Sequence, residues 1–167
     1  MSVAFSTAIY ESVEELYDNS NLIIIGKIGD YEEVTVKWRN TKYIERHYDV
    51  EVKKILSNTS YTDLEIEDSI TLSIMVGIAG SGETVDLYLA DPEDYEIKKG
   101  KYLLFLNAYE VPDLNETIFV KNSPNHLYRK LFGGIYFNVH WTGKKIVTEG
   151  QIKRIVKKKE KNEQQFL

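Results

Sequence analysis

The chain has 167 residues, of which 43% are apolar and 28% charged, with a formal net charge of −5 and no cysteine. We expect a single domain over residues 1–167 that buries roughly 70% of the surface it exposes when unfolded. The absence of thiols excludes disulfides, cysteine nucleophiles and thiolate metal sites. The longest apolar runs fall short of the ~20 residues that a membrane-spanning helix needs, so no membrane span is predicted.

A short helix is predicted over residues 12–18. Ser12 can cap its first turn, and Glu15, three residues later, completes a capping box. Three apolar residues recur at helical spacing and are expected to face the core: Val13, Leu16 and Tyr17.

Two strands are predicted after this helix. Residues 22–28 form an apolar, β-branched run that indicates a strand buried on both faces, with Gly26 marking a bulge or a close backbone approach. A turn at Gly29-Asp30 precedes a continuation over residues 33–38. The second strand, over residues 43–56, is predicted to point Tyr48, Val50 and Val52 inward and His47, Asp49 and Glu51 outward.

Strict alternation of apolar residues predicts a half-buried strand over residues 69–78, with Ile70, Leu72, Ile74, Val76 and Ile78 inward. The glycines Gly77, Gly80 and Gly82 form a loop that superficially resembles a phosphate-binding loop. It lacks the Gly-Lys-Ser/Thr ending and the following helix that phosphate binding requires, so an ordinary loop is predicted. Val85, Leu87 and Leu89 alternate again in a further strand.

The run KKGKYLLFL, residues 98–106, leads from a turn into a strand with no polar face, which predicts burial on both sides. A short strand follows over residues 117–121, and residues 127–131 are predicted to form a helical turn.

Residues 135–141 alternate again, with Ile135, Phe137 and Val139 expected on the buried face. Tyr136, Asn138 and His140 share the opposite face and are weak candidates for ligand binding, because an exposed aromatic strand face can stack bases or other ligands. The alternative is a solvated face. A hairpin turn at Thr142-Gly143 leads into residues 144–148.

The basic residues of the chain are concentrated at its end. Residues 151–167 contain six Lys and Arg and two Glu, a net charge of +4, so the other 150 residues carry −9. We interpret this segment as a basic tail, either a solvated helix or a frayed end, with a polyanion-binding arm as the alternative. The acidic body is unfavourable for nucleic acid, because it repels phosphate backbones.

These elements favour an all-β fold: a small OB-like antiparallel β-barrel with a short amino-terminal helix and a carboxy-terminal helical tail. The order NSNLIIIGKI, YDVEVKKIL, EDSITLSIMVG, IKKGKYLLFL, GGIYFNV resembles a group of bacterial OB-like barrel domains of unassigned function, over roughly residues 19–139. Members of that group are often exported proteins or lipoproteins. The resemblance implies a fold and no mechanism.

The residues point to no catalytic centre, so we predict that the protein is not an enzyme. The histidines His47, His126 and His140 lack the spacing of paired metal ligands, and no metal or cofactor is predicted. His47 with Asp49 and Glu51 is at most a weak cation site; an exposed polar face is the simpler interpretation.

The predicted function is a non-enzymatic binding or accessory module that contacts another protein or a cell-envelope component. The alternative is an intracellular OB-type binder of single-stranded nucleic acid that uses Tyr136, His140 and the basic tail. Residues 1–10 lack the basic start and long apolar centre of a signal peptide. The sequence leaves two locations open: outside the cytoplasm if a leader upstream of this chain was removed, and the cytoplasm otherwise.

Overall fold

The computed structural model describes residues 10–81, 86–88, 96–111, 115–121, 127–139 and 145–166. Within these residues the fold is mostly β. The elements in chain order are α1 (Val13–Asp18), β1 (Leu22–Trp38), β2 (Thr41–Asn58), β3 (Ser69–Ile78), β4 (Leu87–Tyr88), β5 (Gly100–Val111), β6 (Glu116–Lys121), β7 (Leu127–Phe132), β8 (Ile135–Asn138), β9 (Ile146–Thr148) and α2 (Glu149–Gln165). Neither helix is long and apolar enough to cross a membrane.

The strands form one large sheet in the order β1-β2-β3-β6-β5-β7-β8-β9, with β4 beside β3. β1 pairs antiparallel with β2 along one edge and with β5 along the other. β3 pairs antiparallel with β2 and parallel with β6. The second edge of β5 is shared by β7 near its start and β6 near its end.

Residues 22–26 of β1 and 102–106 of β5 are buried on both faces, as their apolar runs predicted. Alternate side chains of a strand point to opposite faces, so each strand supplies two hydrophobic clusters. Ile24 and Leu104 belong to one cluster with the inward residues of β2 and β3. Ile23 and Phe105 belong to a second cluster, which the two helices cover.

Both helices begin at capped residues. The Ser12 hydroxyl accepts a hydrogen bond from the Glu15 amide at 3.1 Å, which confirms the predicted cap. The Glu15 carboxylate accepts from the Glu11 amide, one residue earlier than a capping box requires. At α2, Thr148 and Gln151 form a complete capping box, and Ile152 and Ile155 are buried against the second cluster.

Two local predictions are wrong. β1 continues through Gly29 and Asp30 with no turn, because its pairing with β2 resumes after a register shift between Ile28 and Tyr31. Residues 127–131 form a strand and no helical turn, since this segment pairs with both β5 and β8. Cross-strand hydrogen bonds here outweigh the local preference for a turn.

A bulge changes the end of β3. Ile44 pairs with Gly77 and Glu45 with Met75, so Val76 is the extra residue. Ile78 therefore lies on the outer face of the sheet, although the alternation predicted it inside. Some predictions concern residues outside those that the structure describes. They are the hairpin turn at residues 142–143 and the positions of Gly82, Val85 and Leu89.

Candidate functional site

The face of β8 that was predicted to be exposed is buried. Tyr136 is 0% exposed and Asn138 4%, whereas Ile135 and Phe137 on the other face are only partly covered. The expectation of an exposed aromatic face is therefore wrong for these two residues, because α2 packs against it. His140 lies outside the described residues, and the binding role of the three residues stays a prediction.

Tyr136 belongs to a polar network that joins three elements. Its hydroxyl donates a hydrogen bond to Glu149 Oε1 at 3.2 Å, and Lys54 Nζ donates to Glu149 Oε2 at 2.7 Å. Burial alone would raise the pKa of Glu149, but the hydrogen bond and charge of Lys54 outweigh it and lower this pKa. The network attaches the first turn of α2 to β8 and β2, so it has a structural role.

The phenol of Tyr136 is expected to ionise unusually late. Burial, the charge of Glu149 and the hydrogen bond to it raise the pKa of Tyr136 to about 12, against about 10 for tyrosine in water. The folded protein thus holds this proton more tightly than the unfolded chain. The resulting stabilisation is complete below about pH 10 and is lost as the pH rises toward 12.

An absorbance titration of tyrosinate tests this expectation. The wild-type protein should show a late transition near pH 12 whose amplitude falls by one tyrosine in Tyr136→Phe. The pKa values of Tyr88, Tyr102 and Tyr128 are also raised, so part of the late absorbance change remains in this variant. Tyr61→Phe, at a residue that is 97% exposed, should leave the late transition in place. An unchanged amplitude of the transition near pH 12 in Tyr136→Phe would contradict the assignment.

The polar half of the outer face of β2 carries mixed charges. His47 Nε2 lies 2.8 Å from Glu45 Oε2, and Lys53 donates a hydrogen bond to Glu51. Among the residues that the structure describes, no three His, Asp or Glu side chains are close enough to hold a metal ion. The outward orientation predicted for His47, Asp49 and Glu51 is confirmed by the buried residues that alternate with them.

The other half of this outer face is apolar. Residues directly opposite each other in antiparallel strands point to the same face, so the register places one continuous set of apolar side chains across four strands. Val36 pairs with Tyr43, Tyr43 with Ile78, and Ile78 with Leu87. We name this set the outer patch; it comprises Val34, Val36, Trp38, Tyr43, Met75, Ile78 and Leu87.

The outer patch is accessible. Leu87 is 63% exposed and Trp38 39%, and the remaining members are only partly covered. Ile78 joins the patch because of the bulge at Val76, which turns it out of the core. Contiguous exposed apolar residues on a polar surface commonly mark an interaction site.

The inner face beneath the patch holds the hairpin of β1 and β2 in place. Arg46, which is 4% exposed, is the one buried charged residue in the described part of the chain. Its Nε lies 3.5 Å from Glu33 Oε2, and its guanidinium stacks 4.8 Å from the ring centre of Tyr31. Tyr88 of β4 donates to Glu33 Oε1 at 2.6 Å, and this hydrogen bond raises the pKa of the Tyr88 hydroxyl.

These contacts tie β1, β2 and β4 together on the side opposite the patch. An ion pair whose side chains also make hydrogen bonds or aromatic contacts is held in one geometry better than an isolated ion pair on the surface. The outer patch therefore sits on strands that are fixed relative to one another, which favours binding without prior ordering.

Sequence reasoning missed the outer patch. Val34, Val36 and Trp38 do alternate, and that alternation was available as a signal. Ile78 was expected inside, and only the pairing of β2 with β3 places it beside Tyr43. The pairing of β3 with β4 then brings Leu87 beside Ile78.

No protein-family model matches the chain, and comparisons with curated proteins and with solved structures find no significant match. The function must therefore be argued from the surfaces of the sheet.

Proposed function

We propose that this protein is a non-enzymatic binding module that contacts a partner protein, or a protein of the cell envelope, through the outer patch. The observation that carries the proposal is the apolar set that crosses four strands and keeps Leu87 and Trp38 exposed. Aromatic and aliphatic anchors of this kind supply most of the free energy of a protein interface.

We further propose that five strands close into an OB-like barrel. The order β1-β2-β3-β6-β5, together with the pairing of β5 back to β1, supports closure. OB folds bind their ligands on the face of the second and third strands. Tyr43, Met75 and Ile78 of the outer patch lie on β2 and β3, so the patch extends onto the corresponding face of the proposed barrel.

The two ends of the outer patch carry charges of opposite sign. Glu32, Glu45 and Asp49 continue the same outer face beyond the patch, beside His47. At the other end, next to Trp38, three cations are exposed: Lys37, Arg39 and Lys42. Carboxylates attract Lys and Arg of a partner, and Lys and Arg attract its Asp and Glu. The partner surface should therefore combine apolar side chains with flanking charges of both signs.

Two substitutions test the patch. Leu87→Asp and Val36→Asp place a charge among the anchors and should weaken partner binding by about tenfold or more, since a buried unpaired charge is costly at an interface. Ile66→Asp is the matched control: Ile66 is 60% exposed and lies in the connection between β2 and β3, at the far end of both strands. Affinity is measured by calorimetry with a partner first captured by photo-crosslinking from Trp38 and then purified.

Circular dichroism must show that all three variants keep the wild-type fold. Unchanged affinity of both patch variants, with Ile66→Asp equal to them, would reject the patch as the binding surface. Turnover of a substrate in a broad hydrolase screen, abolished by one substitution, would reject the non-enzymatic assignment.

Binding of single-stranded nucleic acid is the second candidate, supported by the exposed cations of α2. Lys157, Lys158 and Lys161 lie on its exposed side. Deleting the tail would remove buried Ile152 and Ile155, so substitution of the three lysines by Gln is the suitable test. Oligonucleotide binding that weakens steeply with salt and is lost in this variant would support the candidate, and no binding at low salt would reject it.

A further inference from the structure

The second apolar surface of the protein lies on the small sheet of β7, β8 and β9. α2 covers one face of these strands, where Tyr136 and Val147 are fully buried. The opposite face has no such cover in the described part of the chain, and at its end β7 and β8 meet in a tight turn. We name this surface the β7–β9 face; it comprises Leu131, Phe132, Ile135, Phe137 and Ile146.

The β7–β9 face is more exposed than the outer patch. Phe132 is 68% exposed, and Leu131 and Ile146 are each 49% exposed. Gly133 forms the turn with φ of +50°, and a Cβ added there would meet no described atom within 4 Å. Large apolar side chains thus stand at a projecting tip and on the strand beside it.

The β7–β9 face lies in the basic part of the chain. Residues 127–167 carry a net charge of +7, of which +4 belongs to residues 127–148, which have no Asp or Glu, and +3 to α2 and the chain end. The charge of residues 127–148 is the part that bears on this face, since α2 packs against the opposite face. Because the whole chain carries −5, residues 1–126 carry −12. Arg129 pairs with Phe137 directly on the β7–β9 face, and exposed Lys130 and Lys145 flank its tip and edge.

We propose that the β7–β9 face docks on an anionic phospholipid surface. Exposed apolar side chains that enter the acyl boundary, surrounded by cations that attract anionic headgroups, are the two features that interfacial membrane binding requires. Nucleic acid would use the cations and could stack a base on Phe132. However, three of the five side chains, Leu131, Ile135 and Ile146, are aliphatic and offer no stacking. The acidic remainder of the chain is repelled from an anionic membrane, so the basic end of the chain turns toward the lipid, and the exposed apolar side chains select the β7–β9 face over the polar side of α2.

This proposal is independent of the outer patch, which lies on the first strands of the chain. Substitutions on one surface should therefore leave the binding of the other unchanged, and the failure of either proposal can be recognised separately.

Vesicle sedimentation of the full chain is the first test. The protein should sediment with vesicles of equimolar phosphatidylcholine and phosphatidylglycerol, roughly tenfold less with phosphatidylcholine alone, and less at high salt. Phe132→Ser combined with Ile146→Ser should reduce sedimentation roughly tenfold. Ile66→Ser, which removes an equally exposed apolar side chain elsewhere, should leave it unchanged.

A label reports insertion directly and does not depend on the double variant folding. Because the chain has no cysteine, Phe132→Cys can carry a single environment-sensitive fluorophore. Its emission should shift to the blue on anionic vesicles, whereas the same label at Tyr61→Cys should not shift. Absence of sedimentation at low salt, or a shift at residue 61 without one at residue 132, would overturn the proposal. Self-association that the same substitutions abolish, without vesicle binding, would assign the face to a second copy and also overturn it.

Discussion

Phe105→Ala is expected to lower the free energy of unfolding by about 3–5 kcal/mol, the usual cost of deleting a buried aromatic ring. Phe105 is 0% exposed and packs edge-on against Tyr128, with ring centres 5.7 Å apart. It belongs to the cluster that α1 and α2 cover, so the cavity would open between the sheet and both helices. For a domain with a total stability of about 5–15 kcal/mol, this is a large fraction.

Urea denaturation followed by circular dichroism measures the effect, with the slope against denaturant checked for constancy. Phe132→Ala is the control, because Phe132 is 68% exposed and its loss should change the stability by no more than about 0.5 kcal/mol. A cost below about 1 kcal/mol for Phe105→Ala would mean that the helices do not pack on this face as described.

Gly26→Ala is expected to destabilise the protein by about 1–3 kcal/mol, the cost of overpacking a filled core. A Cβ at residue 26 would lie 2.6 Å from Val50 Cγ1 and 3.2 Å from Leu104 Cδ1. Val50 is β-branched and fully buried, so it has little freedom to move away. The glycine in the apolar run predicted a bulge or a close backbone approach, and the register shift between Ile25 and Gly26 agrees with the bulge.

Gly29→Ala on the same strand is the control for Gly26→Ala. Its Cβ would make an ordinary contact, 3.6 Å from the Asp49 carbonyl oxygen, so its effect should stay within about 0.5 kcal/mol. Val50→Ala should partly rescue Gly26→Ala, and a double-mutant cycle gives the coupling between the two sites. Additive effects of Gly26→Ala and Val50→Ala would show that the predicted clash is absent.

The buried strands were the most predictable part of the fold. LIIIGKI and YLLFL have no polar face, and a strand with apolar residues on both sides needs cover on both sides wherever it lies. The inward residues of β2 were predictable for a related reason, because a half-buried strand alternates with a period of two. Hydrophobic periodicity is a local property of the chain, and these elements required nothing else.

The orientation of β8 was not predictable in this way. Ile135 and Phe137 are as apolar as Tyr136, so both faces of IYFN could have been buried. Two contacts with α2 determine which face of β8 is buried. Ile152 and Ile155 cover the face that carries Tyr136, and Glu149 accepts a hydrogen bond from the Tyr136 hydroxyl. A tyrosine can enter a core where its hydroxyl finds a partner, and that partner comes from a different element.

By itself, the sequence determined the strand-rich class, the capped amino-terminal helix, the doubly buried first part of β1 and centre of β5, and the division of charge between an acidic body and a basic end. Each of these follows from composition, spacing or period within a few residues. Only the tertiary structure decided which surfaces remain free. The outer patch depends on one bulge in β3 and on strand register, and the β7–β9 face depends on where α2 packs. Both are set by contacts between residues distant in the chain, and such contacts leave no periodic trace in the sequence.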